Sequence, residues 1–402
     1  MEHLAAQMLS RRVLEMEESA TLRMAQLARN LAAKGNKVIN LSLGEPDFDT
    51  PDHIKDAAKK ALDEGYTKYT PVAGLMEFRQ AIARKFKRDN NLDFTPNQIV
   101  VSNGAKQSLA NLSMAMLNEG DEVVILAPYW VSYYEIVRLG EGTPVVVKAG
   151  IEQDFKVTPA QLEAAITDRT KMILFSSPCN PTGSVYSEKE LRALADVVAR
   201  HENVFIISDE IYEYISFTGK HISIGAFEHV RDRTITVNGF AKGFAMTGWR
   251  LGYMGAPLWI AEACTKIQGQ TTSGANSFAQ RAGMYALESD LKPTFEMRDA
   301  FLRRRNLTLQ LLDEIPGFLC NRPQGAFYVF PDVRYYFGKS DGKITIHNAD
   351  DLAMYILENA LVATVSGSGF GADECLRISY AASDEDLTEA ARRMKEALGL
   401  LK

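Results

Sequence analysis

The chain has 402 residues, a length that suits two domains or one large α/β unit with an appended lobe. Hydrophobic residues make up 46% and charged residues 24%, which excludes a disordered or fibrous protein, and a formal net charge of −6 leaves no basic footprint for nucleic acid. No apolar run approaches the roughly 18 residues of a membrane span, and the segment Met1 to Met16 carries Glu2, Arg11, Arg12 and Glu15. That argues against a secretory signal, so a cytoplasmic address is expected.

In chain order, Thr21 to Lys34 reads as a helix and Val38 to Leu43 as a short strand. A further helix begins after Ser102-Asn103-Gly104-Ala105-Lys106-Gln107. The apolar runs Val123 to Leu126, Pro144 to Val147, Met172 to Phe175, Val204 to Ser208, Thr234 to Val237 and Gly252 to Met254 read as buried strands. Between them, Thr158-Pro159-Ala160-Gln161 and Ser187-Glu188-Lys189-Glu190 are capping boxes that open helices. Such alternation predicts an α/β fold with a mostly parallel central sheet covered by helices on both faces. From Met297 onward come a long basic helix, short strands near Phe327 to Phe330 and Leu376 to Tyr380, and terminal helices. The expected organisation is a large domain of residues 50–295 and a smaller, discontinuous α+β domain of residues 1–49 and 296–402. Gly338 to Asn348 reads as a surface loop, and Gly367-Ser368-Gly369-Phe370-Gly371 lacks the glycine spacing of a nucleotide fingerprint.

Cys179, Cys264, Cys320 and Cys375 are too scattered for a disulfide framework, and the six histidines show no ligand spacing, so no metal is expected. Chemistry gathers instead at predicted strand ends, where sheets of this kind bind ligands. Asp209 ends one apolar run and Tyr212 follows it. Lys242 lies beyond the next run among Gly239, Gly243 and Gly248, and Arg250 closes Thr247-Gly248-Trp249-Arg250. An acid, a phenol, an amine and a guanidinium in that order suit pyridoxal 5'-phosphate. Asp209 would pair with the pyridinium nitrogen, Tyr212 with the phenolic oxygen and Arg250 with the phosphate, while Lys242 forms the imine and carries the proton. Taken singly, each has a plainer reading, Asp209 as a solvated salt bridge and Lys242 as surface decoration.

Asn180, in Ser177-Pro178-Cys179-Asn180-Pro181-Thr182-Gly183, stands at another strand end, where its amide could donate to an anionic phenolic oxygen. Free amides at the helix start beside Gly104 can cradle a phosphate. Trp130 could stack on a planar ring or belong to the core. Arg377, a charge inside an apolar strand pattern, needs a carboxylate, either structural or from a substrate.

Together these motifs resemble the fold-type I pyridoxal-phosphate-dependent aminotransferases of class I over nearly the whole chain. The resemblance rests on Leu43-Gly44-Glu45-Pro46-Asp47-Phe48, Lys68-Tyr69-Thr70, Asn103-Gly104-Ala105-Lys106-Gln107, Tyr129-Trp130, Asn180-Pro181-Thr182-Gly183 and Ser208-Asp209-Glu210-Ile211-Tyr212. It continues through Ala241-Lys242, Met246-Thr247-Gly248-Trp249-Arg250, Gly325-Ala326-Phe327-Tyr328 and Arg377-Ile378-Ser379-Tyr380. It implies that Lys242 is the Schiff-base lysine, that Gly104, Ala105, Lys106 and Arg250 hold the phosphate, and that Asn180 and Tyr212 hold the phenolic oxygen. Trp130 would cover the ring, Arg377 would bind the α-carboxylate, and Gly44 would line the substrate side.

Tyr69 would reach the neighbouring subunit's phosphate, which implies a homodimer with shared active sites. Within the family the chain looks most like the bacterial aspartate aminotransferase subgroup, in which a lysine at the place of Lys106, with hydroxyls matching Ser19 and Thr21, meets the distal carboxylate. One departure is Gly239, where many relatives carry a phosphate-binding serine. The resemblance implies ping-pong transamination between aspartate or glutamate and 2-oxo acids such as 2-oxoglutarate and oxaloacetate. Aromatic amino acids, prephenate or a broad substrate range are the alternative, and a β-lyase is a further one, since the same ring supports either chemistry.

Overall fold

Continuous β-branched runs set the centre of the molecule. A computed structural model describes residues 8–402; the first seven residues of the expected small domain, part of the Met1 to Met16 segment, lie outside the described residues. The strands in chain order are β1 (Ile39–Asn40), β2 (Ile99–Ser102), β3 (Glu122–Ala127), β4 (Thr143–Lys148), β5 (Thr170–Ser176) and β6 (Phe205–Asp209). They continue with β7 (Thr234–Gly239), β8 (Gly252–Gly255), β9 (Tyr328–Val329), β10 (Val362–Ala363), β11 (Val365–Ser366) and β12 (Leu376–Ser379).

Strands β2 to β8 form one sheet in the order β2-β8-β7-β6-β5-β3-β4. Only β8 runs against its neighbours β2 and β7; the other pairs are parallel. The expected α/β class is therefore what the chain adopts. Every residue of β3 is buried, because both faces of the sheet are covered. Val123 and Ile125 pack with Leu109, Leu112 and Tyr133 on one side, while Val124 and Leu126 pack with Leu191, Leu194 and Val198 on the other. Both capping boxes form: Ser187 Oγ accepts from the Glu190 amide at 3.3 Å and Glu190 Oε2 accepts from the Ser187 amide at 2.7 Å, and Thr158 makes the matching pair with Gln161.

The two chain ends meet in a separate apolar core. Met24, Ile39 and Leu41 share it with Phe301, Tyr328, Leu352, Ile356 and Leu398. Here β1 pairs with β10, and β12 lies between β11 and β9. This core also takes in Tyr212 and Ile215, which follow β6, so it reaches the C-terminal edge of the large sheet. The helix Lys292–Asp313 crosses the expected 295/296 division near its start and enters this core at Met297 and Phe301. The Gly338 to Asn348 segment is turn-rich, yet it is pinned by the fully buried Ile346. No described helix is long and apolar enough to cross a membrane.

Candidate active site

The ends of β2, β3, β5, β6 and β7 face a cavity of about 420 Å³ that the N-terminal segment and β12 complete. It brings together Ser19, Thr21, Gly44, Gly104, Ala105, Lys106 and Trp130. Asn180, Asp209, Tyr212, Lys242, Arg250 and Arg377 line it as well. Tyr69 does not; its side chain is 97% exposed on the surface.

Asp209, the last residue of β6, is 4% exposed. Its Oδ2 accepts from Tyr133 Oη at 2.7 Å and its Oδ1 from the Ile211 amide at 3.2 Å. Among the described residues no lysine, arginine or histidine forms an ion pair with it. Burial pushes the carboxyl up to about 6, against the pull of the Tyr133 and Ile211 hydrogen bonds. A carboxylate buried among neutral donors favours any cation that enters the cavity beside it.

Lys242 lies beyond β7, its amine donating to the Gly44 carbonyl. Nζ is 5.8 Å from the ring centroids of Tyr212 and Phe327. Burial lowers this amine to about 8, and the charge of Arg377 adds to the effect. Lys242 thus gives up its proton far more readily than a surface lysine, as an amine that attacks carbonyls must.

The anion corner is built from glycine and a helix start. Gly104 caps the helix Ala105–Met116 with φ +85°, and no side chain caps that end. The first-turn amides of Ala105 and Lys106 are left free of intrahelical acceptors. Arg250 closes the corner, a Cβ on Gly104 standing 2.4 Å from its Nη2, and the left-handed φ of Gly104 is why this position needs glycine.

The opposite wall holds Arg377, 1% exposed on β12. Nη1 donates to Asn180 Oδ1 at 3.0 Å, and Nη2 donates to the Ser42 carbonyl at 2.6 Å and to Thr21 Oγ1 at 3.4 Å. Its Nε, equally buried, has no partner. An arginine can only donate, so the Asn180 oxygen faces it and Nδ2 is left for the cavity.

These residues define one cleft with an anion corner, a buried carboxylate, a low-pKa amine and a buried guanidinium. The description "Aminotransferase class I and II" matches residues 36–394. The chain belongs to this family. It is an aminotransferase, with amino acids and 2-oxo acids as substrates. It is 48% identical over 394 residues to an aspartate/prephenate aminotransferase of Cereibacter sphaeroides, covering 96% of this chain and 98% of that one. It is 47% identical over 401 residues to a bifunctional aspartate aminotransferase and glutamate/aspartate-prephenate aminotransferase of Petunia hybrida, covering 98% and 83%. The aspartate aminotransferase structure from Rhizobium meliloti matches with a TM-score of 0.95 at 40% identity, covering 98% of this chain and 99% of that one.

Several residues in and around this cavity were given no role by the sequence. Tyr133 binds Asp209, although an aromatic at a helix start reads as core; its spacing of three from Trp130, against which it packs edge-on at 5.6 Å, was the available hint. Ser176 Oγ, beside Asp209 in the cavity wall, is buried without a partner. Glu45 accepts from Thr247 Oγ1 at 2.9 Å, bridging the segment after β1 to the loop that carries Lys242. At Gly239 a Cβ would lie 3.0 Å from the Leu251 carbonyl oxygen and the Gly252 Cα, a tight contact that a side chain there would have to relieve by a small backbone shift. Thr21 stands at Arg377, and Lys106 Nζ lies 4.7 Å over the Trp130 ring.

Proposed function

We propose that this cavity holds pyridoxal 5'-phosphate and transfers amino groups between aspartate or glutamate and their 2-oxo acids. The observation that carries the reading is Asp209, a buried carboxylate with hydrogen-bond donors but no cationic partner. The residues present fit the group: Asp209 for a protonated ring nitrogen, Tyr212 Oη and Asn180 Nδ2 for the phenolic oxygen, and Arg250 with the Ala105 and Lys106 amides for the phosphate. When bound, the cofactor supplies a carbonyl that takes the amino group and a ring that spreads the electron pair left by the α-proton.

The chain's own part follows from its geometry. Arg377 binds the α-carboxylate with donors held in place by Asn180 and Ser42. Lys242 Nζ would take the proton from the substrate α-carbon and deliver it to the former carbonyl carbon of the cofactor, a role suited to an amine lowered to about 8. Lys106, whose pKa is lowered by burial and by Arg250, supplies a second cation for a distal carboxylate, with Ser19 lining the same cavity. A lysine on a flexible stem is a point charge that can swing aside. With the apolar Leu22 and Trp130 nearby, that favours a second reading in which a ring-bearing 2-oxo acid such as prephenate also serves as acceptor.

A homodimer with shared sites belongs to the same proposal, since Tyr69 is exposed outside its own cavity. The four cysteines are unpaired thiols, which favours a reducing, cytoplasmic location. The test is a panel of half-reactions in which single amino acids are added to the loaded enzyme and the cofactor absorbance is followed. Fast conversion by aspartate and glutamate with little by phenylalanine is expected. Failure with both acids overturns the reading.

A further inference from the structure

Tyr328 touches both halves of the proposed site. It lies on β9, is 0% exposed, and is the register partner of Ser379 on β12, which puts it on the same face as Arg377 two residues away. Its hydroxyl is 2.8 Å from Tyr212 Oη. Its ring meets the Arg377 guanidinium at 4.6 Å, with Phe370 on another side of that group at 4.9 Å. The hydroxyl also reaches the cavity wall, where a Cβ on Gly44 would come within 2.9 Å of it.

From this arrangement we propose that Tyr328 is a positioning residue with two separable tasks, one on the cofactor side and one on the substrate side. The inference rests on the pyridoxal phosphate reading. Each phenol has a single proton to donate. Spent on Tyr328, the Tyr212 proton would leave only lone pairs facing an anionic oxygen in the cavity. Donation from Tyr328 to Tyr212 frees that proton for the cavity and polarises it further. The Tyr328 ring, independently, fixes the plane of the Arg377 guanidinium, whose Nε is otherwise unpartnered.

Two variants separate the tasks. Tyr328→Phe keeps the ring and loses the hydroxyl; Tyr328→Leu loses both. The readouts are a pH titration of the cofactor absorbance in the loaded enzyme without substrate, and the KM for aspartate. Tyr328→Phe should move the titration midpoint upward by roughly half a unit with KM unchanged, because the phenolic oxygen loses part of its hydrogen bond. Tyr328→Leu should show the same shift and raise KM roughly tenfold. An unmoved midpoint in Tyr328→Phe, or equal KM values in the two variants, overturns the proposal, even where both melt at lower temperature. Wild-type protein that takes up no pyridoxal phosphate would instead fail the underlying reading, before either variant is made.

Discussion

In the proposed function Asp209 and Lys242 carry the central chemistry from opposite ends of one electrostatic scale, an acid made weaker by burial and a base made weaker by burial. The acid has a measurable consequence in the cofactor-free protein. Its folded value is raised from 3.8 to about 6, so the folded state holds the proton through that window while the unfolded state releases it. Stability from this group is therefore present below the lower value and lost as pH rises through the upper one. Wild type should lose about 2 kcal/mol relative to Asp209→Asn between pH 4 and pH 7. Denaturant melts at pH 4 and 7 check this, and a pH-independent gap contradicts it. Asp209 and Arg377 were legible in the sequence as charges at the end of, or inside, an apolar run, and Lys242 as an amine among glycines just beyond one. Tyr133 was not, since a buried aromatic looks the same whether or not its hydroxyl has work at the site, and Tyr328 stood in a family motif with no role attached to it.

Elements behind the site hold it in place by charges that cancel. Lys85, at the end of the helix Met76–Lys85, is fully buried, pairs with Glu213 and donates to Asn90 Oδ1 at 2.6 Å. Asn90 Nδ2 donates to Glu210 Oε2 at 3.0 Å and Glu213 Oε2 at 2.8 Å, and His221 Nε2 lies 2.9 Å from Glu210 Oε2. Burial pulls the His221 imidazole down, but Glu210 outweighs it and raises the group overall. Glu210, Glu213 and His221 have the proximity of metal ligands, yet Glu213 is paired with Lys85 and Glu210 with His221, so each carboxylate already has a basic partner. Lys85→Met should destabilise the protein by about 3–5 kcal/mol, because it strands a buried charge. A denaturation midpoint within error of wild type would refute this. The sequence gives no hint of it: Lys85 stands near Lys87 and Arg88, a pattern that reads as a solvated helix face. Strands buried on both faces, such as β3, were legible as unbroken apolar runs. The short strands read at Val38 to Leu43 and Phe327 to Phe330 form as the shorter β1 and β9, whereas the two-residue β10 and β11 and the four-residue β2 are too short to show a period.

At the scale of the whole molecule, the chain ends fold back to finish a site begun by the central sheet, with Thr21 and Arg377 in contact across 356 positions of sequence. Family motifs made that closure legible; periodicity alone could not, because nothing local links the two ends. If Tyr69 completes the neighbouring subunit's phosphate corner, Tyr69→Ala and Lys242→Ala subunits should complement each other. Mixed after dissociation, they should regain about a quarter of wild-type activity, since half the dimers are hybrids with one native site each. No recovery would mean that the sites are not shared. The most direct test of the account is a single turnover with nitrogen-labelled aspartate and no acceptor, followed by 2-oxoglutarate. Amino transfer through Lys242 predicts one equivalent of oxaloacetate per site before the acceptor is added, with the label appearing in glutamate only afterwards. Release of labelled ammonia, or no oxaloacetate until the acceptor is present, would contradict it.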